Sequence, residues 1–226
     1  MSKNLKNAQK DPEVSVERVL SSTELFLEKH KQTLLYIVAG VLAVVAAFFA
    51  YQKLYKEPIR QEALAQMFIA EQYFRADSFA LALNGDGNAW GFQQIIDEYG
   101  SHAGKVVYFY AGICQLQTGM YREAISTLQK YDVKDEITSA RALACIGDAY
   151  VELNELQNAA NYFLKAANYR DNNYAAKYLL KAGLVYEEMG NTAEALKAYQ
   201  RVKDNYAQTT EGNEIDKYIA RIDPTI

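Results

Sequence analysis

Two cysteines, Cys114 and Cys145, and two histidines, His30 and His102, are the side chains of this 226-residue chain best suited to bind a metal or to act as nucleophile and base. Their spacing argues against both uses. The cysteines form no CxxC pair, and a structural zinc site needs four ligands. With only two histidines to add, no Cys/His zinc site is expected. Small apolar core residues are the plain reading of both cysteines, and a disulfide is the alternative in an oxidising compartment. His102 precedes a predicted helix and reads as a surface or capping residue. The run Asn84-Gly85-Asp86-Gly87-Asn88 imitates a calcium loop at its first three ligand positions. It then departs: the sixth position is Ala89 instead of Gly, and the twelfth is Ile95 instead of Glu. An interhelix turn is expected there. No Walker loop, GxSxG or HExxH occurs. The expectation is a protein that is not an enzyme, with no cofactor, no metal and no small-molecule substrate.

Charge excludes a further class. The formal net charge is −4, and residues 53–226 hold 18 Lys/Arg against 23 Asp/Glu. No basic cluster of the kind that neutralises phosphates is present, so nucleic acid is not an expected partner.

The elements that carry these residues come in two sorts. Residues 32–52 lack any formal charge. As a helix they span roughly 31 Å, enough for a bilayer core of about 30 Å. Tyr36, Tyr51 and Tyr55 stand near the ends, where aromatic rings favour the interface. A transmembrane helix is therefore expected over 32–54, with a tail over 1–31 and a folded domain over 58–226. A cleavable signal peptide is the competing reading, helped by Ala43, Ala46, Ala47 and Ala50. It fits less well, because the apolar stretch is longer than an h-region and more than 30 residues precede it. The tail has six Lys/Arg and five Asp/Glu through residue 33. That excess, with the acidic domain, points to the tail inside and the domain outside. Within the tail, Ser21 and Glu24 have capping-box spacing and predict a helix start near Ser22. Residues 1–12 read as disordered.

Beyond the anchor the chain repeats itself. Gly112, Gly147 and Gly183 recur at steps of 35 and 36 residues. Seven residues on stand Gly119, Asn154 and Gly190. Twelve residues on stand Ala124, Ala159 and Ala195, followed four later by Leu128, Phe163 and Tyr199. Glycine within a helix costs about 1 kcal/mol relative to Ala, so three in register imply a close helix crossing, with the alanine on its other side. Gly, Asn and Gly tolerate a left-handed backbone and mark the end of each first helix. Most of the 18 tyrosines, such as Tyr108, Tyr150, Tyr186 and Tyr199, fall at helix-packing positions.

The segments VVYFYAGICQLQTGMYREAISTLQKY, RALACIGDAYVELNELQNAANYFLKA and YLLKAGLVYEEMGNTAEALKAYQRV resemble tetratricopeptide repeats. Three repeats cover 105–206. Gln115, where the pattern prefers Tyr, and Asn154, where it prefers Gly, depart from it. The resemblance implies an all-α fold: a tetratricopeptide-repeat solenoid of antiparallel helix pairs. A degenerate unit is expected over 59–100, with one long helix from Ile59 to Leu83 and another from Ala89 to Tyr99. Ile215, Tyr218, Ile219 and Ile222 predict a capping helix over 211–223, since solenoid ends need covers.

By the same resemblance, a stripe on each first helix lines a concave groove that binds other proteins. It comprises Val106, Phe109, Ile113 and Leu116, then Arg141, Ala144, Asp148, Val151 and Glu152, then Lys177, Leu180, Lys181, Leu184, Glu187 and Glu188. Phe109 and Ile113 could instead pack on the helix 59–83. A two-carboxylate clamp, which some members use for acidic chain termini, finds Lys177 and Lys181 but meets Phe109 and Ile113 where Lys and Asn are needed. The layout of tail, single span and four-unit domain with a C-terminal helix is similar to the YfgM-like family of ancillary Sec-translocon subunits. That resemblance implies an inner-membrane protein facing the periplasm, in contact with translocon subunits and a membrane-anchored prolyl-isomerase chaperone. A structural scaffold for another envelope or division complex is the alternative.

Overall fold

In the computed structural model the repeat landmarks become helix ends and helix crossings. Residues 12–170 and 174–223 are described, and among them the chain is all-helical. It divides into two units, Met1–Glu57 and Pro58–Ile226.

The first unit is one helix, α1 (Pro12–Tyr51), followed by a π-helical turn over Gln52–Lys56. By length and composition this helix is apolar enough to cross a membrane. Its side chains from Leu35 to Phe49 point outward. Tyr51 and Tyr55 stack at 5.4 Å, with the Lys56 ammonium 5.6 Å from the Tyr51 ring. The expected start at Ser22 is corrected: the helix already begins at Pro12 and runs through Ser21–Glu24. Proline suits a first helical position, where its missing N–H costs nothing. Residues 1–11 of the expected disordered tail lie outside the described residues.

The second unit opens with α2 (Glu57–Arg75), α3 (Phe79–Asn84) and α4 (Phe92–Tyr99). Three helix pairs follow: α5 (Val106–Gln117) with α6 (Tyr121–Leu128), α7 (Glu136–Glu152) with α8 (Leu156–Ala167), and α9 (Ala175–Glu188) with α10 (Thr192–Asn205). Each pair packs on the next through α6 against α7 and α8 against α9. Helix α11 (Thr210–Ile222) covers α10 and α9.

Each first helix ends in the same way. Gly119, Asn154 and Gly190 adopt φ of 81°, 57° and 71°. In each case the next N–H reaches back five residues: Met120 to the Gln115 carbonyl, Glu155 to Tyr150 and Asn191 to Tyr186, all at 2.8 Å. These are Schellman closures, and they satisfy carbonyls that the helix itself leaves open. Helix α7 starts on Asp135, whose carboxylate accepts from the Ile137 and Thr138 N–H groups at 3.1 and 2.7 Å. Hydrogen bonds from Thr138 hold this carboxyl below its usual range. The stabilisation is therefore full above the unfolded value of about 3.9. It is lost as pH falls through the depressed folded value. Asp135→Ala is expected to lower the melting temperature at neutral pH, and its deficit should shrink progressively as pH falls through the depressed Asp135 value, as followed by circular dichroism from pH 7 down.

The central glycines require one correction. A Cβ on Gly147 would lie 2.7 Å from Phe163 Cε1, and one on Gly112 would lie 2.5 Å from Leu128 Cγ. A Cβ on Gly183 would clash with the edge of the Tyr199 ring, nearest Cε1. What crosses each glycine is thus the large side chain, not Ala124, Ala159 or Ala195. Those alanines are wholly buried. The missing side chain on the first helix makes room for a ring or a leucine from the second.

The degenerate unit also differs from expectation. The predicted helix 59–83 breaks at residues 76–78, where Asp77 takes φ 54°. The break turns α3 back, so that Ala63, Met67 and Ala70 of α2 share a core with Ala82, Leu83, Phe92 and Ile95. The helix expected from Ala89 begins at Phe92. In the turn before it, Asp86 accepts from the Ala89 and Asn88 N–H groups at 2.7 and 2.9 Å and from the Tyr73 hydroxyl at 2.7 Å. These donors hold the Asp86 carboxyl down at about 2, so the calcium-like run serves as a turn clasp. His102 is half-buried in the turn Gly100–Ala103, with Nδ1 3.1 Å from the Tyr99 carbonyl.

Candidate functional site: the cleft on α5, α7 and α9

The first helices of the three repeats together line a cleft of about 430 Å³. Its walls include Ile113 and Leu116 of α5, Arg141, Ala144 and Asp148 of α7, and Lys177 and Lys181 of α9, all from the expected stripe. These helices can line one cleft because α6 packs against α7 and α8 against α9, which stacks the pairs in succession.

The stripe does not enter the cleft as a whole. Val106, Phe109, Glu152, Leu180, Leu184, Glu187 and Glu188 lie outside its lining. Phe109 is only 6% exposed and Ile113 4%, and both pack with Ala124, Ile125, Ala142 and Ile146. The neighbours are therefore chiefly α6 and α7, not the helix 59–83. The Phe109 ring sits 5.2 Å from Tyr131. Val106 and Leu184 are exposed, and Leu180 packs half-buried on the C-terminal core. Glu152 accepts from the Tyr121 hydroxyl at 3.2 Å.

Glu187 has a different task. Tyr199 donates its hydroxyl proton to Glu187, and Arg221 of α11 reaches the same carboxylate at 2.6 and 3.1 Å. Burial, then the Glu187 carboxylate, push the Tyr199 hydroxyl far up, so it stays protonated and donates. This carboxylate fastens the cap helix to α9.

Within the cleft, Lys181 meets Asp148 at 2.6 Å and lies 5.3 Å over the Phe163 ring. Arg141 stands 6.0 Å from the Phe109 ring. Five lining residues lie outside the expected stripe: Gln117, Ile137, Cys145, Tyr174 and Tyr178. Ile137 and Tyr174 are 51% and 48% exposed. The signal for them was present, since Ile137 precedes Arg141 by four residues and Tyr174 precedes Lys177 by three. Cys145 also borders the cleft, but burial pushes its thiol up to about 11. Cys114 is pushed to about 12 for the same reason. Neither is an activated nucleophile, since reactivity needs the thiolate. The two are unbonded and sit in different clusters, Cys114 with α2–α4 and Cys145 with α6 and α7.

Helix pairs with glycine crossings, repeated caps and a cleft along the first helices define the chain as an all-helical tetratricopeptide-repeat protein. Two models described as "Tetratricopeptide repeat" match it, one over residues 106–132 and 177–209 and the other over 140–173. Among solved structures it is similar to "Crystal structure of MamA protein", at 22% identity and a TM-score of 0.53, covering 71% of this chain and 89% of that one. It is also similar to "Crystal structure of MamA", at 23% and 0.49, covering 68% and 92%. At such identities the likeness concerns the fold alone. No curated protein matches the chain. Repeats of this class bind other proteins, and that is the level at which the fold defines the activity.

Proposed function

We propose that the chain is a membrane-anchored interaction module that holds a partner protein in the cleft on α5, α7 and α9. The observation that carries this reading is the cleft itself, whose rim leaves Ile137 and Tyr174 half in water at the end of a well-packed groove. Large apolar side chains in such positions supply burial energy when a partner covers them.

The finer reading makes residues 32–54 an uncleaved span, with residues 1–31 in the cytoplasm and 58–226 in the periplasm. Its support is the uncharged run and the acidic repeat unit. Translocon subunits and a membrane-anchored prolyl-isomerase chaperone are the partners proposed, on the similarity of architecture to the YfgM-like family. The second reading, a scaffold for another envelope or division complex, is served by the same cleft.

Co-purification in mild detergent separates the two. Recovery of translocon subunits supports the first, and recovery of cell-wall machinery supports the second. Gln117→Trp, which fills the cleft from an exposed lining position, is expected to abolish recovery in either case. Undiminished recovery would move the interface elsewhere. Protease added to intact spheroplasts should digest the repeat unit and spare the tail, and protection of the repeat unit would overturn the orientation.

A further inference from the structure

We infer that α2 is a self-association surface, along which two copies of this chain pair as parallel helices. The surface is separate from the cleft, and the inference draws on the reading of α1 as a membrane anchor.

The two ends of the repeat stack are finished differently. A solenoid needs terminal elements with a polar outer face. Helix α11 meets this need: it buries Ile215 and Ile219 and leaves Glu214, Asp216 and Lys217 exposed. Helix α2 does not. It buries Ala63, Met67 and Ala70 on one side, yet exposes Leu64, Phe68 and Ile69 on the other. Phe68, at 60%, is the most exposed large apolar side chain of the repeat unit among the described residues. A cluster of this kind marks a surface that is covered in use.

The pattern of that surface names its occupant. Gln61, Ala65, Phe68 and Gln72 are all exposed and follow one another at intervals of four, three and four residues. That is the spacing of a coiled-coil seam, along which two helices interlock side chains. No formal charge interrupts the line, so a second copy can lie against it without like charges at its centre. The flanks set the direction. Leu64 borders the seam on one side and Ile69 on the other. In a parallel pair, Leu64 of each copy lies against Ile69 of its neighbour, five places further on. An antiparallel pair would set Leu64 against Glu71 and Ile69 against Glu62. Parallel pairing does bring Glu62 toward the neighbour's Glu57, but the Tyr99 hydroxyl already engages Glu62. The seam runs for only about three turns, short of the roughly 1,000 Å² that a free-standing interface needs. A bilayer supplies the difference, since two copies anchored in it share one orientation and a high effective concentration.

The test places single cysteines in the full chain, with the buried Cys114 and Cys145 left as they are, and reconstitutes it in phosphatidylcholine vesicles. Oxidation with copper phenanthroline then reads disulfide-linked dimer on denaturing gels. Ala65→Cys and Gln72→Cys are each expected to link to themselves about tenfold more than Ala193→Cys on α10, because the seam holds the two thiols together. Gln61→Cys chains mixed with Gln72→Cys chains should not link to each other, since parallel pairing keeps those positions about three turns apart. Phe68→Glu should lower the Ala65→Cys yield about tenfold, because two carboxylates would then face each other. Helicity should be unchanged, the site being exposed. Yields no higher than that of Ala193→Cys, linkage between the Gln61 and Gln72 variants, or an undiminished yield with Phe68→Glu overturns the inference. So does a monomer whose Ala65→Cys is shielded from a water-soluble maleimide, which assigns the face to lipid or to a different protein. Alkaline extraction checks the anchor separately. A chain that stays in the vesicles and does not link removes the seam and keeps the anchor. One that alkali releases and that links all the same removes the anchor and keeps the seam.

Discussion

Tyr199→Ala is expected to cost the repeat unit about 3–5 kcal/mol, the range for deleting a buried aromatic side chain. The ring is wholly buried between Gly183, Tyr218 and the C-terminal core. Tyr199→Phe keeps the ring and removes only the hydroxyl that donates to Glu187. Arg221 still holds that carboxylate, so the loss should be about 1 kcal/mol. The sharper test lies in the glycine beneath the ring. In the natural background Gly183→Ala drives a methyl against the edge of the Tyr199 ring and destabilises. Once Tyr199→Ala has cleared the space, the same change gains helix propensity, up to about 1 kcal/mol. A reversal of sign between the two backgrounds is therefore expected in chemical denaturation. Like signs would show that the ring and the glycine do not share the crossing.

Gly147→Leu should destabilise by about 2–4 kcal/mol, because overpacking adds to a clash that begins at Cβ. Phe163, whose ring carbons lie 2.7 and 2.8 Å from that Cβ, is only 1% exposed and has nowhere to retreat. For a unit of this size the melting temperature should fall by roughly 5–15 °C. Gly87, though in a loop, is a poor control because its φ is 90°. Ala193→Leu, on the exposed side of α10, is the better one and should stay within about 0.5 kcal/mol. Equal melting of the Gly147 and Ala193 variants would refute the crossing.

What the sequence made legible was local. Gly119, Asn154 and Gly190 announce helix ends because a positive φ is a property of one residue. Gly112, Gly147 and Gly183 announce crossings because a helix tolerates glycine poorly. The partner in each crossing was misassigned to the small alanine, since spacing alone does not show which of two side chains, four residues apart, lies over the glycine. The break at Asp77 left no such trace: no Gly or Pro marks it, and beyond it α3 packs on α4 and α5, where Ala82 and Leu83 are buried. The same holds for the stripe. Periodicity locates a helix face but not what covers it. Phe109 is lost to α6 and α7, and Glu187 is claimed by Arg221, 34 residues away. Conversely, Ile137 and Tyr174 obey the stripe's own period and were missed at its ends.

The Glu187 clasp also sets where the repeat stack comes apart first. In a linear array each unit leans only on its neighbours, so the ends open most readily. Here one end is tied by Tyr199, Arg221 and the buried Ile215 and Ile219. Amide hydrogens of α9 and α10 should then exchange only through openings that cost nearly the full unfolding free energy. Cutting the clasp with Glu187→Ala should shorten their lifetimes while leaving those of α5 unchanged. The cleft sits between these two regions, so its second wall, α9, owes its persistence to a carboxylate that lies outside the cleft lining.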